Sequence, residues 1–328
     1  MALAPACWLG SARSRLRNPP PTPQPRLNHR RRPPHPPPPP APEPAPPPAP
    51  EPAPSRRPIA DHVTPPPDPL LLEPSRHGPL PRLGPEGRSA IRAYARPFDR
   101  EDRRPRVAIL LGGIGLNGTH SDDAIRRLPP AITLAFSPYA ARPEPMLDRV
   151  RARGMEFVAA LPLEPAGFGS RADPGDRALL TGLPLNENLD RLDWALSRLA
   201  DYVGAVGAEG AMRGERFAAN AELLATLQQR LTERGLLYVD PRPGAPSPAR
   251  AFGRSVDLVL DDPPARDAVE RRLAELETLA RAGGSALGYA GDPAPSVVAA
   301  LTAWAAGLEA RGLVLAPVSA VIRRPTER

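Results

Sequence analysis

The sequence of 328 residues has 43 arginines, no lysine and 36 acidic residues, which gives a formal charge of +7. Residues 1–104 contain 17 arginines and 9 acidic residues, whereas residues 105–328 contain 26 and 27, so the positive excess lies in the N-terminal part. Aromatic residues make up only 4% of the chain, which leaves few side chains that could stack on bases. We therefore expect no nucleic-acid partner.

Cys7 is the only cysteine, which excludes an intrachain disulfide framework and a Cys-based zinc site. No run of about 18 apolar residues occurs, as an ordinary transmembrane helix would require. The start MALAPACWLG is too short and too interrupted for the apolar region of a signal peptide.

Residues 1–104 predict a disordered, basic, proline-rich tether. The run RRPPHPPPPPAPEPAPPPAPEPAP has almost no large apolar side chains. Because proline also removes backbone donors, such a run favours the extended polyproline II conformation over a packed core. The tail is a candidate docking segment for an envelope protein partner. Residues 105–328 are numerous enough to form one sizeable core.

From Arg106 onward, short apolar runs alternate with amphipathic stretches in which Leu, Ala or Val recurs every three or four residues. This alternation predicts an α/β fold with seven or eight parallel strands, in a sheet that is open or closed into a barrel. In both arrangements, ligands bind at the carboxyl ends of the strands. The predicted strands are Val107–Leu111, Ile132–Ser137, Phe157–Leu163, Tyr202–Val206, Leu236–Asp240, Val256–Leu260, Ala286–Tyr289 and Val314–Val318.

The first predicted strand runs into the turn GGIGLNG, where Gly113, Gly115 and Gly118 have the G-x-G-x-x-G spacing of dinucleotide-binding proteins. Such a site needs an acidic residue at the end of the second strand, but that strand ends in SPY. One hypothesis is a dinucleotide-dependent enzyme, which NAD(P) would stabilise against heat. We favour the other, a tight strand-to-helix turn that needs positive φ angles.

Seven segments resemble, in order, the divergent polysaccharide deacetylase family, from about Arg106 to Ile322. They are RVAILLGGIGL, AIRRLPPAITLAFSPYA, RARGMEFVAALPLEP, DPGDRALLTGLPLNENLDRLDWALSRLADYVGAVG, ERGLLYVDPRPG, VDLVLDDPPARDAVERRLAELETLARAGGSALGYA and LEARGLVLAPVSAVI. The resemblance implies a distorted (β/α) barrel-like fold for residues 105–328, a role in carbohydrate metabolism and a cell-envelope glycan or polysaccharide as partner. It also implies a periplasmic or membrane-anchored location, for which we expect a start codon upstream that encodes an anchor.

Polysaccharide deacetylases hold a divalent metal, usually zinc, with one Asp and two His, and a second Asp acts as base on the metal-bound water. Here Gly112 and Gly113 stand where the family commonly has an Asp pair, and Met155 stands at the His of its Gly-His-Glu step. The stretch GAVGAEGAMRGERF lacks the family's histidine, and Asp292 replaces the His of a His-Pro step.

The histidine count supports the same conclusion, since four of the five histidines precede residue 105: His29, His35, His62 and His77, with His120 the exception. We expect no zinc site and no cofactor. The chain is then a hydrolase-like pseudoenzyme with impaired catalysis, or a non-catalytic glycan-binding or scaffold protein of the envelope. Whether it is an enzyme stays open at this point.

Carboxylates at predicted strand ends are the remaining catalytic candidates, namely Asp240, Asp261 and Glu164, all at positions that are acidic in the family. In a shared pocket, burial and mutual repulsion would raise the pKa of one carboxyl group and create a general acid–base pair. The same oxygens could hold Mg²⁺ or Ca²⁺. The alternative is that they accept backbone N–H bonds in loops or helix caps.

Five further residues at predicted strand ends are candidates for ligand binding. Two are tyrosines that could stack on a sugar ring, and the others line the same predicted edge. They are Gly112, Gly113, Tyr139, Asp262 and Tyr289.

Overall fold

The computed structural model describes residues 62–326. Within that part the helices are α1 (Ala90–Tyr94), α2 (Gly118–Arg127), α3 (Glu144–Ala152), α4 (Leu185–Ser197), α5 (Glu215–Ala218), α6 (Ala221–Glu233), α7 (Arg266–Gly283) and α8 (Pro295–Ala306). The strands are β1 (Leu72–Ser75), β2 (Gly78–Pro81), β3 (Arg106–Ile114), β4 (Thr133–Phe136), β5 (Phe157–Ala160), β6 (Gly204–Val206), β7 (Leu237–Asp240), β8 (Gly253–Ser255), β9 (Leu258–Val259), β10 (Ser285–Ala290) and β11 (Val314–Ala316).

The main sheet is a curled half-barrel in which every strand pairing is parallel. Eight strands follow the order β8-β7-β6-β5-β4-β3-β10-β9, and β11 also pairs with β3. All eight predicted strands are present, and helices surround the sheet, so the predicted parallel α/β fold with a distorted barrel is confirmed. No helix among residues 62–326 is long and apolar enough to cross a membrane.

Strand β3 is an interior strand of the sheet, and its residues show why the sequence folds this way. Eight of its nine residues are buried, as expected for a parallel strand that is covered on both faces. It pairs with β10 on one side and with β11 and then β4 on the other. The register shifts between Leu111 and Ile114, where Gly113 has φ +70°. The strand therefore ends in a bend whose positive φ angle favours glycine.

Parallel pairing places the strand ends at one edge of the sheet, called here the carboxyl edge, and the strand starts at the opposite, amino edge. The glycine turn at the carboxyl edge is a tight turn, with φ +95° at Gly115. The side chain of Asn117 then caps α2 by accepting from the backbone N–H of His120. This is the strand-to-helix turn that the sequence favoured over a nucleotide-binding loop.

Residues 62–104 correct the predicted boundary of the tether at residue 104. They form the β1–β2 hairpin and α1, and they bury Leu71, Leu80 and Tyr94 in the main core. The hydroxyl of Tyr94 accepts a bond from the backbone N–H of Asp68 at 2.8 Å. Local proline content suggested a disordered segment, but these buried apolar side chains hold it against the core. The prediction for residues 1–61 lies outside the described residues.

Candidate functional site

Tyr289 fills the space next to Gly112 at the carboxyl edge. Its side chain is 1% exposed, and a Cβ at Gly112 would lie 2.5 Å from its Oη. A Cβ at Gly113 would lie 2.7 Å from the carbonyl oxygen of Gly291 and 3.0 Å from Cδ of Pro293. The positions where the family carries an Asp pair therefore have no room for side chains.

A tight turn formed by residues 209–212, the closing turn, covers these strand ends. Glu209 and Met212 exchange backbone hydrogen bonds of 2.9 and 3.1 Å. The hydroxyl of Tyr289 donates to the carbonyl oxygen of Gly210, and a Cβ at Gly291 would lie 2.8 Å from backbone atoms of Ala211. The sequence-predicted ligand residues Gly112, Gly113 and Tyr289 are therefore buried, and a ligand could contact them only if this turn moved.

Glu209 is a functional candidate that sequence reasoning missed. The residue is 4% exposed, and neither carboxylate oxygen has a hydrogen-bond partner among the described residues. Burial raises the pKa of Glu209 to about 7, and the nearby hydroxyl of Ser137 offsets part of the effect without reaching hydrogen-bond geometry. The signal was available in the sequence, since Glu209 closely follows a predicted strand.

A second tyrosine, Tyr238, fills the space beside the end of β6. A Cβ at Gly207 would lie 2.4 Å from its Oη. The ring is completely buried, and its hydroxyl has no hydrogen-bond partner within residues 62–326. Burial raises the pKa of Tyr238, and the Asp240 carboxylate adds to the effect. At the carboxyl edge, the buried side chains of Tyr289 and Tyr238 therefore fill the space beside Gly112 and Gly207.

The predicted catalytic residue Asp261 holds backbone in place. Its Oδ2 accepts from the N–H groups of Gly291 and Asp292 at 2.7 and 3.0 Å. Burial raises the pKa of Asp261, although the two N–H groups oppose that shift. The predicted ligand residue Asp262, its neighbour, is exposed. The geometry at Asp261 matches the loop-capping alternative, and the residue also lies near Tyr289.

The predicted catalytic residue Asp240 is buried and is paired with one arginine. Arg242 contacts it through Nη2 at 2.7 Å, Nε at 2.9 Å and its backbone N–H at 3.1 Å. This carboxylate raises the pKa of the Arg242 guanidinium. Both oxygens of Asp240 thus accept from Arg242, and this ion pair fixes the orientation of the carboxylate.

The third predicted catalytic residue, Glu164, anchors the long connection between β5 and α4. Its Oε2 accepts from the backbone N–H and the hydroxyl of Thr181 at 2.5 and 2.7 Å, and Arg216 Nε lies 3.1 Å from Oε1. The three predicted carboxylates thus have different partners, and none of the described contacts joins one to another.

Tyr139 is the predicted ligand residue that remains partly exposed. Its ring lies 5.3 Å from that of Trp194, and its hydroxyl accepts from the backbone N–H of Arg177. Burial raises the pKa of Tyr139 to about 12. The guanidinium groups of Arg177 and Arg198 lie 5.9 and 6.0 Å from the Trp194 ring. This aromatic pair offers apolar faces beside cations, a combination that suits a polar ring such as a sugar.

The residues of the described part do not fit the zinc site of the wider family. His77 pairs with Asp190 at 2.7 Å, His120 lies in the first turn of α2, and His62 precedes the hairpin. Residues 62–326 contain no group of three or more His, Cys, Asp or Glu side chains placed to hold a metal ion. No reaction step through zinc can be derived from these side chains.

Comparisons with known proteins agree with this fold. The family model of the divergent polysaccharide deacetylases matches residues 109–322. The crystal structure of an uncharacterized protein from Agrobacterium tumefaciens C58 is similar with a TM-score of 0.68 and 32% sequence identity, and the match covers 74% of this chain and 99% of that one. No protein with a curated description matches significantly. The chain belongs to the divergent polysaccharide deacetylase family.

Proposed function

We propose that this protein binds cell-envelope glycan and has lost the zinc-dependent deacetylation of the wider family. One observation carries the proposal: Tyr289 and the backbone around Gly291 occupy the volume into which side chains at positions 112 and 113 would project. Side-chain ligands for a metal cannot be placed there without displacing a buried tyrosine and its strand.

Two features support a binding role at the carboxyl edge. The first is the partly exposed pair Tyr139 and Trp194, whose ring faces can stack on the apolar face of a sugar. The second is Glu209, whose buried oxygens have no partner among the described residues. A buried polar group without a partner costs about 1–3 kcal/mol. A sugar hydroxyl or amide N–H that entered when the closing turn opened would remove that cost.

A different class of function remains as the alternative. If catalysis survives, the proposed acid–base residues are Asp240, Asp261 and Glu164, together with Glu209. The pKa of Glu209, about 7, is suited to proton transfer near neutral pH.

We also propose a periplasmic or membrane-anchored location and an envelope protein partner for the proline-rich tail. Cell fractionation tests the location, and recovery of the protein only in the cytoplasm would contradict it.

The test of the proposed function uses the purified full chain and two readouts. Acetate release from peptidoglycan and from N-acetylglucosamine oligomers is measured with and without added Zn²⁺, Mg²⁺ and Ca²⁺, and sedimentation with insoluble glycan measures binding. We expect cosedimentation and no acetate. Tyr139→Ala and Glu209→Ala should weaken cosedimentation, whereas Arg272→Gln, on an exposed helix face, is the control that should not.

Two results would overturn the proposal. The first is acetate release by the wild type that is abolished by Asp240→Asn, Asp261→Asn or Glu164→Gln. It would establish an enzyme that works by another route. Absence of binding to every glycan tested would instead favour a scaffold that contacts proteins. Elemental analysis of the same preparations should find less than stoichiometric metal after exposure to each ion.

A further inference from the structure

Two adjoining clefts lie at the amino edge, opposite the site described above. Their volumes are about 400 and 820 Å³, and they share Arg100, Ala320, Ile322 and Arg323. The smaller cleft includes the first residues of β3 and β10, and the larger is bordered by residues 83–98 of the N-terminal segment. Together they form one groove, the amino-edge groove, and each of its two parts has a volume typical of ligand sites.

The lining of the amino-edge groove is strongly cationic. Among the described residues that line it, Asp102 is the single acidic one, and it pairs with Arg104. Two other arginines are held by the protein, since Arg254 contacts Asp257 and Ser285 and Arg96 donates to the carbonyl oxygen of Gly154. The lining arginines are Arg92, Arg96, Arg100, Arg103, Arg104, Arg106, Arg254, Arg323 and Arg324.

Five of these arginines have no side-chain partner among the described residues: Arg92, Arg100, Arg103, Arg323 and Arg324, all exposed. Elsewhere in residues 62–326 many arginines pair with nearby acids, as the exposed Arg266 and Arg271 do on α7. Like charges gathered on one exposed surface repel one another, although water and salt screen the repulsion, and an anion bound between them relieves it. Guanidinium groups also match carboxylate and phosphate oxygens in bidentate geometry.

The groove also has apolar walls, so a ligand that fits it would have an apolar face as well as anionic groups. Phe252 is 40% exposed, and Phe98 lies under the guanidinium of Arg106 at 5.0 Å. An extended peptide that joined the sheet as an additional strand would need free backbone groups at its edge. At β8 those groups are already used, because Gly253 and Arg323 exchange hydrogen bonds of 3.0 and 2.8 Å.

We propose that the amino-edge groove binds an acidic saccharide, whose carboxylate or phosphate groups pair with Arg100, Arg323 and Arg324 while a sugar face packs on Phe252. This inference rests on the proposed glycan binding and adds a charge specificity at a separate site. The carboxyl edge would contact neutral sugar, and the amino edge would recognise anionic groups.

The test is a calorimetric titration of the full chain with oligogalacturonate and, separately, with glucose 6-phosphate. Fully methyl-esterified oligogalacturonate is the neutral control, and polyglutamate tests for an acidic peptide. The groove variant is Arg100→Gln/Arg323→Gln/Arg324→Gln. The matched control is Arg266→Gln/Arg271→Gln/Arg272→Gln on α7, which removes the same charge away from the groove.

We expect the wild type and the α7 control to bind at least one acidic saccharide equally, and the groove variant to bind it about tenfold to hundredfold more weakly, given the strength of charged hydrogen bonds. Equal loss in both variants, unchanged binding by the groove variant, or tighter binding of polyglutamate would overturn the proposal. Cosedimentation of the wild type with neutral N-acetylglucosamine polymer separates the two proposals. If the wild type cosediments but binds no acidic saccharide, only the amino-edge inference is lost.

Discussion

The hydroxyl of Tyr289 donates a 2.5 Å hydrogen bond to the carbonyl oxygen of Gly210, and this contact joins the end of β10 to the closing turn. Tyr289 is buried beside Gly112, and Gly210 follows Glu209 directly. The Tyr289 side chain thus fills the space beside Gly112 and also holds the closing turn that covers this space. The absence of acidic side chains at positions 112 and 113 and the covering of the carboxyl edge are therefore parts of one packing arrangement.

Tyr289→Phe should loosen the closing turn without emptying the space around Gly112. The carbonyl oxygen of Gly210 loses its donor, which typically costs about 1–2 kcal/mol. We expect faster amide hydrogen exchange at residues 209–212 and a lower urea midpoint. Tyr94→Phe, which removes a hydroxyl bonded to the Asp68 backbone, is the control and should leave exchange at the turn unchanged. Equal exchange in Tyr289→Phe and wild type would contradict the role assigned to this bond.

Gly112→Ala should destabilise the protein because its Cβ would meet Tyr289 Oη at 2.5 Å. Overpacking of a core typically costs about 1–3 kcal/mol. The double variant Gly112→Ala/Tyr289→Phe should recover part of that loss, since the hydroxyl that causes the closest contact is gone. Gly118→Ala, at a position where a Cβ meets no atom within 4 Å, should change the unfolding free energy little. Chemical denaturation of the wild type, Gly112→Ala, Tyr289→Phe and the double variant measures the coupling, and purely additive losses would argue against the contact.

Glu209 should make the protein less stable as pH rises. Its pKa is about 7 in the folded protein and about 4.5 when unfolded, so the folded state keeps its proton over that interval while the unfolded state releases it. The contribution of Glu209 to the unfolding free energy is fully present below pH 4.5 and decreases between pH 4.5 and 7. Above pH 7 it is lower by about 3 kcal/mol. The pH profile of the unfolding free energy measures this.

Glu209→Gln removes the titrating group and should flatten that profile. At pH 8 the variant should be more stable than the wild type, and at pH 4 the two should be similar. Asp261, whose pKa burial also raises, contributes a slope of the same sign that persists in the variant. A wild-type profile that rises between pH 5 and 7, or a variant that is less stable at pH 8, would contradict the assignment.

The sequence predicts most of the sheet because its strands are apolar runs bounded by turn residues, a local signal. Strand β8, Gly253–Ser255, was missed since it is short, includes an arginine, and forms through pairing with β7 and the distant Arg323. Residues 62–104 were misassigned for a related reason. Their prolines suggest an extended chain, whereas contacts of Leu71, Leu80 and Tyr94 with the core decide the conformation.

The candidate site shows the same limit. The absence of acidic side chains at positions 112 and 113 is visible in the sequence, but what occupies the space depends on which strand lies next to β3. That neighbour is β10, which follows it by more than 150 residues. Likewise Glu209 is an ordinary strand-end acid until the closing turn buries it and leaves its oxygens without partners.

Glu156 offers the last prediction, since it is the acid that remains of the family's Gly-His-Glu step. Its buried carboxyl group accepts from Thr133 Oγ1 at 3.1 Å, from the backbone N–H of Ser319 at 3.0 Å and from that of Arg96 at 3.3 Å. It also contacts the Ser319 hydroxyl. It thereby joins β4, the C-terminal segment and the N-terminal segment, and burial raises its pKa.

Glu156→Ala should lower the unfolding free energy by about 2–4 kcal/mol, because several buried donors lose their acceptor at once. Glu156→Gln keeps an acceptor oxygen and the side-chain volume, so it should cost less than half as much. Both variants keep the residues of the carboxyl edge, and glycan cosedimentation by the folded protein should be unchanged. If the Gln variant were as unstable as the Ala variant, the ionised carboxylate would be the form that joins the three segments. In that case the wild type would become more stable, and not less, as this group ionises.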